Sequence, residues 1–329
     1  MNNKIIEILS AAFAVLLCLS CGGGTPADNS GGAQVSPTRI ISFAPSITEI
    51  LYELDLGDRI QGVTRFCNYP PDAAQKRTVG GHADYSYEMI LRLKPDLAVI
   101  LKEQRDLAAF LDKYRIRYIA VGSDSVDEII ESVRLIADAV MVSDRGEALA
   151  QKLLRHVGAG FTPAQIHGEI NRATARVAPT NCTDAGTGDR LQKQCPAPPR
   201  PKILLCVGRE NIGGGAVSRC FAAGALSFYN QLIEIAGGVN VLQDTRQAYP
   251  AIGAEAVIRL NPDIIIDISS AYSDLPPRQV CGDWNALSSV AAVKNENVYC
   301  LQGDFLTIPG PRFVLILDKF RDIFGGYNE

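Results

Sequence analysis

The sequence predicts an α/β protein with two similar lobes, and three observations lead to this fold class. Residues 88–100 read EMILRLKPDLAVI, and residues 255–267 repeat the pattern as EAVIRLNPDIIID. In both, a short amphipathic helix ends at a proline, Pro95 or Pro262, and an apolar strand follows. Strand and helix patterns also alternate on either side of this unit, which is typical of parallel sheets covered on both faces. We therefore expect two Rossmann-like lobes.

The first lobe is predicted to occupy residues 38–142. Its opening strand ends before Pro45, and Ser46 and Glu49 have the spacing of a capping box at the start of the first helix. Apolar runs predict strands at 39–44, 60–64, 96–100 and 118–122, and periodic segments predict helices from 46, at 86–93, at 105–113 and from 125.

A helical connection is predicted over residues 143–178, because 143–176 have no strand pattern and are rich in Ala, Leu, Glu, Gln and Arg. A polar insertion follows at 179–200, and the second lobe takes 201–329. Its predicted elements are a strand at 202–208, a helix at 227–235, the repeated unit at 255–267, a strand at 298–301 and a closing helix at 311–324.

The N-terminus has the pattern of a lipoprotein signal. Residues 1–20 hold one Lys and a short apolar run that ends in a small residue before Cys21. The apolar run is too short to stay in a bilayer as a spanning helix. The Gly-rich residues 21–37 suit a flexible tether, so we expect Cys21 to be lipidated and the mature protein to lie outside the cytoplasm. Ordinary secretion with cleavage nearby is the alternative.

Cysteine content and charge limit the kinds of site and partner that the protein can have. Of nine cysteines, Cys18 and Cys21 belong to the leader and anchor, which leaves seven and hence at least one without an intramolecular partner. Cys182 and Cys195 bracket a polar loop, and a disulfide between them would staple the insertion. No Cys/His spacing indicates a zinc site. The net charge of −4 without a basic stripe argues against a nucleic-acid partner.

Two segments carry a resemblance to a known family. They read RIISFAPSITEILYELDLGDRIQGVTRFCNYP and VGGHADYSYEMILRLKPDLAV. Together they resemble the first lobe of the cobalamin- and iron-siderophore-binding proteins that serve bacterial ABC importers. The resemblance extends over residues 38 to 325, apart from 158–200. It implies two rigid lobes with a ligand cleft between them, no catalytic activity or catalytic cofactor, and a monomer that delivers a corrinoid of the vitamin B12 type to an importer.

The duplicated glutamates acquire a role from this resemblance. In such proteins one exposed Glu on each lobe contacts arginines of the membrane permease, and the motif places these residues at Glu88 and Glu255. Two separated carboxylates could orient and steer a basic partner. Each Glu could also simply stabilise a helix N-terminus.

Ligand contacts are expected in the loops that follow the strands, where ligands bind in open α/β sheets. Aromatic side chains there could stack on a flat corrin ring, and Arg65 and Arg209 could meet an anionic siderophore. The candidates are Pro45, Ser46, Arg65, Phe66, Asn68, Tyr69, His82, Tyr85, Arg209, Tyr249, Asp304 and Phe305.

Two further residues keep more than one interpretation. His82 is the one His predicted near the cleft, and it could be an axial metal ligand or a polar wall residue. Cys67 could contact a metal centre, form a disulfide or be a small buried residue.

Other functions remain open at this point. A ferric siderophore or haem is the alternative ligand within the same fold. A tetrapyrrole chelatase would need several acid and base residues converging on the ring, which one cleft His does not supply. A sensor that works without a transporter is contradicted only by the pair of glutamates.

Overall fold

The computed structural model describes residues 36–158, 200–268 and 275–327. Residues from Pro37 onward belong to one compact unit, which contains both predicted lobes. The predicted leader at 1–20, the lipidation site Cys21, nearly all of the tether and the Cys182–Cys195 pair lie outside the described residues. No helix within the described ranges has the length and apolar character needed to cross a membrane.

The first lobe contains a five-stranded sheet in the order β3-β2-β1-β4-β5, and all of its strand pairs are parallel. Buried apolar side chains fill its central strands, as expected for a parallel sheet with both faces covered. The strands are β1 Ile40–Ser42, β2 Ile60–Val63, β3 Arg77–Thr78, β4 Leu97–Leu101 and β5 Tyr118–Val121.

The second lobe contains a mixed sheet in the order β11-β10-β6-β7-β9, with β8 paired beside the start of β6. The pairs β6/β10 and β10/β11 are parallel, whereas β6/β7 and β7/β9 are antiparallel. The predicted α/β class is confirmed, although this sheet is less parallel than expected. The strands are β6 Lys202–Arg209, β7 Arg219–Ala222, β8 Val239–Asn240, β9 Ala251–Gly253, β10 Ile264–Asp267 and β11 Val298–Cys300.

Ten α-helices lie in the described residues. Those of the first lobe and the connection are α1 Pro45–Glu53, α2 Tyr87–Leu93, α3 Arg105–Lys113, α4 Val126–Ala139 and α5 Ser143–Val157. Those of the second lobe are α6 Phe228–Ile235, α7 Ala254–Leu260, α8 Pro277–Gly282, α9 Ala291–Lys294 and α10 Phe313–Tyr327.

The repeated unit has the same backbone geometry in both lobes. Helix α2 is followed by Lys94, whose φ is 46°, and α7 is followed by Asn261, whose φ is 43°. Both residues are left-handed C-caps, a conformation that ends a helix and turns the chain toward the following strand. The predicted helix–proline–strand pattern therefore comes with a matched turn on each side.

One hydrophobic core joins the two lobes. A single cluster of buried residues runs from Ile40 and Val133 in the first lobe to Phe228 and Phe320 in the second. Helix α5 packs against α4 and against α10, and Arg321 of α10 donates hydrogen bonds to the last carbonyls of α5. The described part of the predicted connection, as far as Val157, thus ties both lobes together.

The first helix begins differently from the prediction. Its N-cap is Ala44, and Pro45 and Ser46 lie inside the first turn, so no side chain caps this helix. Proline at the first helical position has no N–H to satisfy, which lets the helix begin without a capping side chain. Glu49 therefore does not take part in the predicted capping box. Its carboxylate instead accepts a hydrogen bond from Arg312.

Candidate ligand-binding cleft

A cavity of about 320 Å³ lies between the two lobes. Its walls follow the carboxyl ends of β1, β4 and β5 in the first lobe, the position at which parallel sheets bind ligands. The first lobe contributes Ala44, Pro45, Ser46, His82, Leu101, Glu103, Ser123 and Asp124. The second lobe contributes Leu226, Ser227, Phe228, Ala248, Tyr249, Thr307, Ile308 and Pro309.

Four predicted site residues line this cavity. Pro45 and Ser46 form the first turn of α1, and His82 comes from the loop before α2. Tyr249 belongs to the opposite lobe and is 47% exposed, with its ring edge-on to Tyr229 at a centroid distance of 6.4 Å. The cavity thus places an imidazole and a phenol from different lobes on the walls of one cleft.

A second group of predicted residues lies outside the cavity lining. Arg65 pairs with Asp84 in the same lobe, and its guanidinium lies 5.9 Å from the centre of the Phe66 ring. Phe66 is 51% exposed and Asn68 is exposed as well, so both stay available for contact. The Tyr85 hydroxyl donates to the carbonyl of His82, which ties down the loop that carries the histidine.

Arg209 differs from the prediction. Its side chain is fully buried, Nε donates to Asp267 over 2.9 Å, and Nη1 donates to Asp283 over 2.6 Å. Burial alone would raise the pKa of Asp283, but its hydrogen bonds from Arg209 and from the amides of Gly213 and Gly215 hold that pKa below its usual value. Arg209 is thus an internal support of the second lobe, and the prediction that it faces ligand is wrong.

An ion cluster that connects the lobes was missed at the sequence level. Arg312, just before α10, donates to Glu49 of α1 over 2.7 Å and to Asp304 over 2.9 Å. Its guanidinium also lies 3.9 Å from the centre of the Tyr69 ring. Of the predicted ligand residues, Tyr69 and Asp304 therefore belong to this cluster, and Phe305 is half-buried beside it.

The electrostatics of the cluster follow from burial. Glu49 is 2% exposed, and desolvation raises its pKa despite the bond from Arg312. Burial would lower the pKa of Arg312, but its hydrogen bonds to Glu49 and Asp304 raise that pKa above its usual value. Asp304 is half exposed, and Arg312 lowers its pKa. In the sequence, the spacing of Glu49 from Ser46 indicates only a helix cap.

Gly310 allows the two lobes to approach at this point. A Cβ atom added there would lie 3.1 Å from Oε2 of Glu49 and 3.2 Å from the Cα of Ser46. A side chain at this position would push the second lobe away from α1, so the glycine is part of the interlobe contact.

The five cysteines in the described part of the chain are three buried thiols and one disulfide pair. Cys67 is 2% exposed, the hydroxyl of Thr48 lies 3.1 Å from its sulfur, and burial raises its pKa. This geometry fits the small buried residue among the interpretations of Cys67. Cys281 and Cys300 form a disulfide that the sequence did not predict. Across the described ranges, no three His, Cys, Asp or Glu side chains come together as a metal-binding group.

The duplicated glutamates are both exposed, as the second residues of α2 and α7. Neither Glu88 nor Glu255 forms an ion pair with another described residue. Three residues later each helix exposes an aliphatic side chain, Leu91 at 37% and Ile258 at 44%. Each lobe therefore presents a carboxylate beside an apolar side chain.

Comparison with known proteins shows which proteins the chain is similar to. Residues 40–159 match the family of periplasmic binding proteins, which confirms the resemblance seen in the sequence. The vitamin B12-binding protein of Vibrio cholerae serotype O1 is 25% identical over 283 residues, 83% of this chain and 84% of that protein. An ABC transporter substrate-binding lipoprotein of Bacillus subtilis is also 25% identical, over 84% of this chain and 77% of its own length.

A solved structure supports the fold independently. The periplasmic vitamin B12-binding protein of Vibrio cholerae superposes with a TM-score of 0.64 and 21% identity, covering 88% of this chain and 98% of that one. This likeness confirms the two-lobed α/β architecture.

Proposed function

We propose that this protein is the substrate-binding component of an ABC importer, and that it captures a corrinoid of the vitamin B12 type and delivers it without catalysing a reaction. The periplasmic binding family and the names of the two curated relatives support the importer role. The interlobe cavity supports capture of a small molecule.

The charge of the cleft carries the choice of a corrinoid. Within the described residues, Glu103 and Asp124 line the cavity and no Lys or Arg does. The arginines expected to grip an anionic chelate, Arg65 and Arg209, are both engaged by carboxylates of their own lobe. A cleft without free guanidinium groups favours a neutral or weakly charged ring over an anionic siderophore.

Absorption spectroscopy tests the ligand class directly. The protein is mixed separately with cyanocobalamin, cobinamide, haem and a ferric siderophore, then desalted, and retained colour identifies the ligand. We expect corrinoid colour to stay, with an affinity that changes little between low and high salt, because a neutral or weakly charged ring is not held by ionic contacts. The affinity of an anionic chelate would instead fall, since exposed charges are screened over about 10 Å at 0.1 M salt. Retention of the siderophore alone, lost on Arg65→Ala, would contradict the proposal.

Aromatic contacts give a second test within the same assay. We expect Tyr249→Ala to weaken corrinoid binding about tenfold, equivalent to about 1.4 kcal/mol, and Phe66→Ala to weaken it more than Arg65→Ala. Tyr114→Ala is the matched control, because Tyr114 is 45% exposed and follows α3 away from the cavity lining. Equal effects of Tyr249→Ala and Tyr114→Ala would remove Tyr249 from the site.

Haem is the second candidate, and one observation favours it. His82 and Tyr249 line the cavity from opposite lobes, and imidazole and phenolate are both axial ligands of haem iron in proteins. Under this alternative, haem would bind with a Soret spectrum that changes on His82→Ala or Tyr249→Phe. A haem spectrum unaffected by both variants would exclude these side chains as iron ligands.

Docking onto the permease is proposed for Glu88 and Glu255. Their exposure and lack of ion pairs within the described residues leave both carboxylates available to a basic partner. We expect Glu88→Ala with Glu255→Ala to weaken association with the source organism's importer in nanodiscs, while ligand affinity stays unchanged. Asp144→Ala with Asp322→Ala removes the same charge from other exposed positions and should have no effect.

The lipid anchor belongs to the same proposal. Lipidation at Cys21 would hold the protein at the membrane outside the cytoplasm as a monomer, and the Bacillus subtilis relative is named a lipoprotein. Phase partition in detergent tests it, since Cys21→Ser should move the protein from the detergent phase to the aqueous phase. If Cys21→Ser does not change the partition, the N-terminus is an ordinary secretion signal without a lipid.

A further inference from the structure

A second cavity lies at the amino-terminal edge of the first sheet, at the other end of its strands from the cleft. It has a volume of about 260 Å³. Strand β2 contributes its second residue and β3 its first, and α2 covers one side. The lining residues are Arg39, Gln61, Arg77, Met89, Arg92 and Leu93. Three of these six are arginines and none is a carboxylate, although the whole chain has a net charge of −4.

Arg39 is held in place by the end of a helix. Its Nε donates to the carbonyl of Lys94 over 3.0 Å, and its Nη2 donates to the carbonyl of Leu93 over 2.5 Å. Asp96 fixes the backbone beneath it by accepting the amide N–H groups of Thr38 and Arg39 over 2.9 and 3.0 Å. One guanidinium of the pocket is therefore positioned before any ligand arrives.

The other two guanidinium groups have no counter-ion among the described residues. Arg77 and Arg92 are exposed, and neither makes a side-chain hydrogen bond or ion pair with another described residue. Glu88 lies four residues before Arg92 on α2 but forms no ion pair with it. By contrast, Arg65, Arg134, Arg145, Arg209, Arg219, Arg312 and Arg321 each have a carboxylate partner.

Close packing brings the arginines together. Gly62 of β2 lies under α2, and a Cβ atom added there would be 2.8 Å from Cδ1 of Leu93 and 3.4 Å from the carbonyl of Arg77. The glycine thus lets the helix that carries Arg92 settle against the strand edge that carries Arg77. Backbone packing therefore places Arg77 and Arg92 on the walls of the same pocket.

We propose that this arginine pocket binds a phosphate-type oxyanion. Guanidinium groups offer paired N–H donors that match phosphate oxygens, and several unpaired cations favour an anion with more than one charge. Free phosphate and the phosphate of an anionic lipid headgroup share this chemistry. The pocket adjoins the start of the first lobe, where the predicted membrane tether joins, so both sources are tested.

The experiment has two arms and uses protein that begins at Gly22, because the compact unit begins only at Pro37. In the first arm, calorimetry measures inorganic phosphate binding against chloride at equal ionic strength. In the second, flotation compares phosphatidylglycerol vesicles with phosphatidylcholine vesicles. The test variant is Arg77→Gln with Arg92→Gln, which leaves the structural bonds of Arg39 intact.

The control variant is Arg105→Gln with Arg155→Gln, which removes the same charge from two exposed arginines that make no ion pair within the described residues. We expect saturable binding of one phosphate, or flotation only with phosphatidylglycerol, weakened at least tenfold in the test variant and less than twofold in the control. Phosphate binding identifies the free ion as the ligand, and flotation alone identifies a headgroup. Binding in neither arm, or an equal loss in both variants, would overturn the proposal.

Discussion

Replacing Arg312 by methionine tests whether the interlobe ion cluster supports the fold. Arg312→Met leaves Glu49 facing the same buried site without its partner, and the Glu49 side chain is 2% exposed. Removing one member of a buried ion pair costs about 3–5 kcal/mol. The contacts to Asp304 and Tyr69 add little, because Asp304 is 55% exposed and an exposed cation–π contact contributes about 0.5–1 kcal/mol.

Urea denaturation followed by circular dichroism measures this change. We expect the free energy of unfolding to fall by about 3–5 kcal/mol in Arg312→Met, and by less in the double variant with Glu49→Gln, which no longer buries a charge. Arg155→Met is the control and should stay within about 0.5 kcal/mol, because Arg155 is exposed on α5. A loss below about 1 kcal/mol, or additive effects of the two substitutions, would refute the buried-pair argument.

The same variant should have a distinct pH dependence. Desolvation raises the pKa of Glu49 above 4.5, so the folded state holds this proton more tightly than the unfolded state does. The stability from that proton is complete below pH 4.5 and is lost as pH rises through the folded-state pKa. Without Arg312 the pKa of Glu49 should rise further. The deficit of Arg312→Met should therefore grow from acidic to neutral pH, and a deficit constant with pH would show that Glu49 is not its source.

Three further perturbations test other parts of the structure. Arg209→Met should lower the free energy of unfolding by about 3–5 kcal/mol in urea, since it removes the cation from beside two buried carboxylates, and a neutral effect would mean that they protonate readily. Cys281→Ser with Cys300→Ser should cost about 3 kcal/mol, measured by thermal unfolding, because the bridge closes a loop of 19 residues; an unchanged melting temperature would mean that the bridge contributes nothing. Leu91→Ser with Ile258→Ser should weaken association with the importer in nanodiscs without changing ligand affinity. Unchanged association would mean that these apolar side chains do not contribute to docking.

The sequence was most informative where the fold buries both faces of a strand. The runs DLAVI and KILLCVG read as continuous apolar segments, and they became Leu97–Leu101 and Lys202–Arg209. The inner strand β7, Arg219–Ala222, and the edge strand β9, Ala251–Gly253, are short and partly exposed, so they carry no comparable pattern. For that reason the sequence does not predict the antiparallel strand pairs of the second sheet.

The site was harder to predict because its contacts join distant parts of the chain. Arg312 and Glu49 are 263 residues apart, and nothing local marks either as a partner of the other. Strand ends indicated Pro45 and Ser46 as ligand contacts, and both residues line the cavity. The same rule misplaced Arg209, because a strand end indicates which edge of the sheet a residue occupies and not whether neighbouring carboxylates enclose it.

The interlobe contacts also bear on how the cleft selects its ligand. Opening the lobes would expose parts of a shared hydrophobic core and would separate Arg312 from Glu49. Both changes are costly, since apolar surface would return to water and a buried carboxylate would lose its cation. The spacing of the cleft walls is therefore set by folding rather than by ligand-driven closure. Selection must then come from the side chains on those walls, where Tyr249 and His82 lie on opposite lobes.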